Sequence, residues 1–242
     1  MLALLKLPEF NSKKPKTMAD YIVAAVGDWN LSLFEELSAT FQGNFNFVAD
    51  PSELDEILRK GISPRYIFFL HWRWIVPKAI VQNYTCICFH MTDVPFGRGG
   101  TPLQNLIVRG HQDTVLTALK MDEGIDTGPF YLKYPLNLEG SASEIYYRAS
   151  RLSWVMIKDI ITHNPTPRQQ EGRITHFTRR RPEHSVIPDG LNASQIYDYI
   201  RMLDADGYPK AYIEKNNYRF TFENACVAGD QVLANVSITI KD

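Results

Sequence analysis

Two stretches of this 242-residue chain concentrate groups able to do chemistry. The first is FHMTDVPFGRGG, Phe89 to Gly100, which holds a histidine, a hydroxyl, an acid, an arginine and three glycines. The second is MDEGIDTGP, Met121 to Pro129, which holds Asp122, Glu123 and Asp126. His90 follows the apolar run TCICF, where a strand would end. A histidine there titrates near neutrality and can exchange a proton with a reacting amine. A carboxylate from the second stretch beside it would fix its tautomer and favour the imidazolium. A histidine at a strand end is also a common hydrogen-bonded structural residue, and spacing leaves both readings open.

The glycines add little. A dinucleotide fingerprint needs G-x-G-x-x-G directly after the first strand, opening a helix. The first strand here ends in VGDWN, GRGG follows the fourth, and no Gly-Lys-Ser/Thr follows it. A lone Arg-Gly-Gly is weak evidence of RNA binding. A turn-rich loop is the plain reading.

Further candidates surround these stretches. His71 lies near the end of a third strand, in FLHWRW, and can line the same crevice; Trp72 and Trp74 complete a core or sandwich a flat heterocycle. The run Arg179 to Arg181 reads as a solvated face or, in a crevice, as a pyrophosphate contact. His111, His163, His176 and His184 sit in loop-like contexts and read as solvated. Cys86-Ile-Cys88 can point both thiols one way along a strand, but finger-like ligand spacing is missing, so no metal is expected.

These groups need elements to hold them. Hydrophobic residues make up 45% and charged residues 22%, enough for a sizeable core. Net charge is −1, which argues against a broad electrostatic grip on nucleic acid. Three cysteines, an odd number, point to free thiols in a reducing, cytoplasmic setting. MLALLKLPEF is too short to span a bilayer. Residues 1–18 read as a tail or extension, with Met18 a possible natural start.

From Asp20 onward, short β-rich runs (YIVAAV, NFNFVAD, RYIFFLHW, TCICFH) alternate with helical patterns, which predicts a parallel sheet with right-handed crossovers. NLSLFEELSATF reads as a helix capped by Asn30, PSELDEILRKG as a second and PLQNLIVRG as a later one. TVLTALKM and FYLKYPLN are strands around the acidic loop. The longest helix starts at a capping box, Ser141 and Glu144. After TRRRPE comes a helix over SQIYDYIRMLDADGY, then three strands with Asn216-Asn217 as a hairpin turn.

With these residues in place, the chain resembles the formyltransferases that use 10-formyl-tetrahydrofolate. Their first motif is Asn-x-His, a small hydroxyl residue, Leu-Pro and Arg-Gly; here it reads Cys88-Phe89-His90, Thr92, Val94-Pro95, Arg98-Gly99. Their Asp-x-Gly-x-Asp-x-Gly-Pro loop reads Asp122 to Pro129. HWRWIVPKAI resembles their folate-loop segment and RRRPE their Lys/Arg-Arg-x-Pro-Glu stretch. The resemblance runs from about Tyr21 to the end.

The resemblance implies a Rossmann-like α/β formyltransferase domain over 19–182 with a mostly parallel sheet. A small C-terminal helix and antiparallel β element would fill 183–242. It implies His90 and Asp126 as catalytic residues, and 10-formyl-tetrahydrofolate as donor against Trp72, Arg73, Trp74, Ile75, Gly124 and Ile125. Cys88 stands where the family has asparagine. A thiol is a weak donor, so Thr92, Gln104 or a backbone N–H would substitute, the chain would belong to a divergent subgroup, or activity would be lost; the divergent subgroup is preferred. The short C-terminal region and slight acidity favour a nucleotide-linked amino sugar of surface-glycan biosynthesis over methionyl-tRNA. Trp29, Asn30, Thr92, Arg98, Arg179 and Arg181 are the expected substrate contacts. A homodimer is expected; a different amine acceptor or a non-catalytic folate or nucleotide binder are the alternatives.

Overall fold

Unbroken apolar runs build the central strands, because both faces of the sheet are covered. In the computed structural model, which describes residues 18–241, Tyr21 to Ala25 and Tyr66 to Leu70 are wholly buried. The first six strands of interest are β1 (Asp20–Ala25), β2 (Asn44–Val48), β3 (Tyr66–Leu70), β4 (Cys86–His90), β6 (Asp113–Lys120) and β7 (Phe130–Asn137). They form one sheet in the order β2-β1-β3-β4-β6-β7. The pairs β1–β2, β1–β3 and β3–β4 are parallel, while β4–β6 and β6–β7 are antiparallel. The β6–β7 reversal has a local cause: the two strands are joined by the acidic loop alone, with no crossover helix to turn the chain. A short pair, β5 (Arg98–Gly99) with β8 (His176–Phe177), stitches the glycine loop to the later chain. The tail expected over residues 1–18 lies, apart from Met18, outside the described residues.

The helices are α1 (Asp28–Leu37), α2 (Pro51–Arg59), α3 (Lys78–Asn83), α4 (Pro102–Ile107), α5 (Ala142–His163) and α6 (Ala193–Arg201). Asp50 caps α2 through the Ser52 and Glu53 N–H groups, and Ser141 and Glu144 form the expected box at α5. The cap of α1 is Gly27, not Asn30. Asn30 lies inside the first turn, where its Nδ2 donates to the Val26 carbonyl at 2.7 Å. The helix after residue 192 is capped by Asn192 and ends at Arg201, short of the expected Tyr208.

Alternate strand residues feed two cores, one on each face of the sheet. Ile22, Ile67, Phe69 and Cys86 meet Leu54 of α2 and Ile80 of α3. Val23, Phe68 and Ile87 meet Ile145, Trp154 and Ile157 of α5. Each such side chain contributes about 1.5–3 kcal/mol by leaving water. The second core also takes in Ile200, Leu203 and Ala211 of the C-terminal region, which therefore shares the main core. There β9 (Ala211–Lys215), β10 (Tyr218–Ala228) and β11 (Gln231–Ile240) form an antiparallel sheet in the order β11-β10-β9. Its β9–β10 turn is Asn216-Asn217 as expected, with Asn216 left-handed at φ 56°.

One contact pins the C-terminal region over the carboxyl end of β3. His71 follows that strand in a left-handed conformation, φ 50°. Its ring lies edge-on to Tyr146 of α5 at 4.3 Å, and the Tyr208 hydroxyl is 3.2 Å from its Nε2. Burial first, and the nearby Arg73 cation second, push the His71 pKa down to about 4. The folded value lies below the unfolded 6.5. The unfolded chain therefore binds the extra proton between those values, and stability falls as pH drops from about 6.5 to about 4. The upper bound of that loss is about 3 kcal/mol. The variant His71→Asn keeps a residue that tolerates left-handed backbone. Denaturant unfolding from pH 4 to 7 should show the wild type losing stability relative to this variant as pH falls; parallel curves would refute the assignment.

Candidate active site

The Asp126 carboxylate and the His90 ring meet between the glycine loop and the acidic loop. His90 ends β4 with its Nδ1 3.5 Å from Asp126 Oδ2 and its Nε2 2.9 Å from the Gly97 carbonyl. Each ring nitrogen thus faces an acceptor. Both residues are sheltered, at 9% and 15% side-chain exposure, so water competes weakly for these contacts.

Local sequence explains how Asp126 gets there. The residue is left-handed, φ 54°, a conformation that Asp tolerates better than most. Its Oδ2 accepts the Gly99 N–H at 2.9 Å, which ties the two loops together. Asp122 turns the loop by accepting from the Gly124 N–H and the Thr127 hydroxyl. Glu123 leaves the crevice and pairs with Lys78 and Gln82 of α3. Of the three acids expected near His90, only Asp126 reaches it. Gly128 is obligatory: a Cβ there would lie 1.9 Å from the Lys120 carbonyl oxygen. Gly99, at φ 108°, is close-packed too: a Cβ there would lie 2.5 Å from the Phe177 carbonyl oxygen.

Several expected contacts have structural partners instead. Thr92 is fully buried; its hydroxyl faces the Gly97 carbonyl and its own carbonyl accepts from Thr117. Gln104 donates to the Tyr146 hydroxyl and the Met202 carbonyl, so neither residue replaces the family asparagine. Asn30 is buried at the α1 start. Trp29 donates to Ser150 and its ring lies 5.5 Å from His71. Arg98 grips the Gln170 side-chain oxygen through Nε and Nη2. The Gln170 amide in turn donates to the carbonyls of Asp126 and Gly128. Gln170 is a residue the sequence reading missed. It sits in the irregular stretch after α5, where no period marks it.

Cys88 lies two residues before His90 on the same side of β4. Burial first, and the Asp126 charge second, raise its thiol pKa well above the usual range, so the sulfur stays protonated. Cys86 is likewise pushed up to about 12 by burial.

The segment after β3 splits by alternation. Trp72 and Trp74 meet edge to face at 4.8 Å, with Trp72 packed on the α2–α3 side. Trp74, Ile75 and Ile125 are large apolar residues left 40%, 84% and 63% exposed. The Arg73 Nη2 lies 4.0 Å from the position of a Cβ on Gly207. Arg179 packs against Gly100, and Arg181 is exposed, donating its backbone N–H to His184.

Comparison with known proteins now bears on this geometry. Residues 182–239 match the family described as Methionyl-tRNA formyltransferase, C-terminal domain. The methionyl-tRNA formyltransferase of Caldicellulosiruptor saccharolyticus is 29% identical over 214 residues, covering 83% of this chain and 67% of that one. Other relatives of that name are matched over 32% to 52% of their length. Among solved structures, the methionyl-tRNA formyltransferase from Clostridium thermocellum is 44% identical with a TM-score of 0.89. That match covers 92% of this chain and 99% of that one. A 4-N formyltransferase from Francisella tularensis shares the fold at 18% identity and a TM-score of 0.62, over 81% of this chain and 92% of its own. The identity and coverage of the Clostridium thermocellum protein, together with the match over 182–239, place the chain: it belongs to the formyltransferase family.

Proposed function

We propose that the chain transfers a formyl group from 10-formyl-tetrahydrofolate to a primary amine, and that the amine is that of methionyl-tRNA. The observation that carries the transfer is the His90–Asp126 pair, held between two loops that meet at the Gly99 N–H. The acceptor rests on the name of the Clostridium thermocellum protein, whose chain is covered almost end to end. A short C-terminal region therefore does not argue against tRNA. A second reading, a nucleotide-linked amino sugar, is favoured by the net charge of −1, which gives little general attraction for RNA. A homodimer is supported by Val236, Ile238 and Ile240, exposed along one face of β11.

The residues fit a folate. Trp74, Ile75 and Ile125 offer exposed apolar surface, with Trp72 beneath, suited to a flat heterocycle. The donor supplies a formyl carbon activated by its bond to nitrogen. The acceptor amine attacks that carbon, the new C–N bond forms, the bond to the folate nitrogen breaks, and the proton lost by the amine is matched by one gained at the folate nitrogen. His90 is the group placed to donate to the oxygen that gains charge or to receive that proton. Its Nε2 must first exchange the Gly97 carbonyl for that oxygen. Asp126 keeps the ring oriented through Nδ1.

Incubation with 10-formyl-tetrahydrofolate and methionyl-tRNA, or a panel of nucleotide-linked amino sugars, followed by mass spectrometry, tests the reading. Formylated methionyl-tRNA is the expected product; a formylated sugar alone selects the second reading, and folate binding without turnover removes the enzyme. His90→Ala and Asp126→Asn should each lower kcat by at least about 100-fold with the fold retained by circular dichroism. Wild-type turnover in either variant would clear that residue of a role. Cys88→Asn restores an amide donor and should raise kcat about tenfold or more. An unchanged or lower kcat in a folded Cys88→Asn protein means that the oxygen is met elsewhere.

A further inference from the structure

The Asp126 carboxylate is aimed by a backbone conformation that a non-glycine residue seldom keeps unaided. The residue is left-handed at φ 54°, and its side chain serves both Gly99 and His90. We propose that Gln170 is the positioning residue for Asp126 in the transfer, and that Arg98 acts on the reaction through Gln170 alone. The inference rests on the formyl-transfer reading, and it takes Arg98 away from the acceptor.

One amide does the holding. Gln170 Nε2 carries two hydrogens and faces two carbonyls, that of Asp126 at 2.8 Å and that of Gly128 at 2.7 Å. Among the described residues no other donor reaches the Asp126 carbonyl. The clamp therefore fixes the backbone directly after the acid. From that fixed backbone Asp126 Oδ2 reaches the Gly99 N–H at 2.9 Å and stands 3.5 Å from His90 Nδ1.

The amide can point only one way. Arg98 presents Nε and Nη2 to Gln170 Oε1, at 3.1 Å and 2.8 Å. A guanidinium has only donors and a carbonyl only accepts. A reversed amide would set its NH2 against the guanidinium and its oxygen against two carbonyls. Arg98 thus selects the one orientation in which Gln170 can clamp the acidic loop, and its charge strengthens the bonds that do so.

The main chain around Gln170 is anchored on both sides. Arg168, two residues earlier, exchanges two bonds of 2.8 Å with Phe130 at the start of β7. Thr175, five residues later, is tied to the glycine loop. Its N–H donates to the Pro95 carbonyl, its hydroxyl accepts from the Gly97 N–H and its carbonyl accepts from the Arg98 N–H. The stretch from Arg168 to Thr175 is therefore a strap across both loops, with Gln170 over the acid. Gln170 belongs to neither hydrophobic core, so the four hydrogen bonds that converge on its side chain do not serve to bury it. They serve the geometry of the loop.

The test compares Gln170→Met and Gln170→Glu with wild type in the full chain. Methionine keeps the length without an amide. Glutamate keeps an oxygen for Arg98 but has no N–H for the two carbonyls. Hydrogen exchange of the Gly99 amide, followed by NMR against the buried amides of β3, reads whether Asp126 still accepts that bond. Both variants should exchange Gly99 at least about tenfold faster, with the β3 amides unchanged. Transfer from 10-formyl-tetrahydrofolate is measured with methionyl-tRNA, or with the nucleotide-linked amino sugar formylated in its stead. Both variants should lose at least about tenfold in kcat while KM for the donor stays within about twofold. Arg98→Met should lose no more than Gln170→Met, and the double variant should be no slower than Gln170→Met alone. Unchanged Gly99 exchange, a wild-type kcat in Gln170→Glu, or a loss confined to KM would overturn the positioning role. A double variant that multiplies the two single losses would give Arg98 a role of its own and overturn the relay. Wild-type protein that formylates no amine would sink the formyl-transfer reading, and Gly99 exchange would still decide whether Gln170 holds Asp126.

Discussion

The site depends on one carboxylate. Asp126 accepts the Gly99 N–H and faces His90 Nδ1, so a single side chain joins the loop after β4 to the loop after β6. Without it a sheltered N–H and a buried ring nitrogen both lose their partner, at a cost of about 1–3 kcal/mol each. Much of the surrounding backbone is arranged to deliver that carboxylate. Asp126 takes a left-handed conformation, Gly128 passes under the Lys120 carbonyl, and the Gln170 amide ties down the carbonyls on either side of Thr127. Arg98 secures Gln170. An arginine of the first loop thus fixes the acid of the second through a glutamine from a third segment.

The same economy separates the two sides of the crevice. Strand β3 ends at Leu70, and the left-handed turn at His71 redirects the chain. Trp72 then packs with the α2–α3 core and meets Trp74 edge to face, while Arg73 reaches towards Gly207. An apolar, exposed rim suited to a flat ring forms on the α2–α3 side. An aromatic contact of His71, Tyr146 and Tyr208 forms where the C-terminal region crosses. Tyr208 makes that second surface part of the main domain, since it reaches His71 over a separation of 137 residues.

What could be read in the sequence was mostly local. The buried runs of β1, β3 and β4, the Ser141–Glu144 box and the Asn216 turn follow from residue type and spacing within a few positions. His90 and Asp126 were legible because a strand end and a glycine-rich acidic loop are both short-range signals. Contacts between distant segments were not legible. Thr92 reads as a free hydroxyl until Thr117 and the Gly97 carbonyl enclose it. Arg98 reads as a free cation until Gln170, 72 residues away, takes it. Asn30 fits the pattern of a helix cap, but Gly27 starts the helix a turn earlier. The length of the C-terminal region carries no acceptor chemistry of its own: a protein named for methionyl-tRNA is covered almost end to end.

Cys88 sharpens the question of what meets the developing oxyanion on the formyl-transfer reading. Its thiol is held protonated by burial and by Asp126, and a thiol is a weak donor. The glycine loop offers no ready substitute. Its N–H groups from Phe96 to Gly100 go to the Asp93 carbonyl, the Thr175 hydroxyl, the Thr175 carbonyl, Asp126 and the Phe177 carbonyl. Thr92 and Gln104 are committed as well. His90 Nε2 stands 2.9 Å from the carbonyl of Gly97 on the same loop, while Asp126 faces the other end of the ring. On the formyl-transfer reading, the replacement of one amide by a thiol puts the burden of charge stabilisation on His90, and through it on the carboxylate that positions the ring.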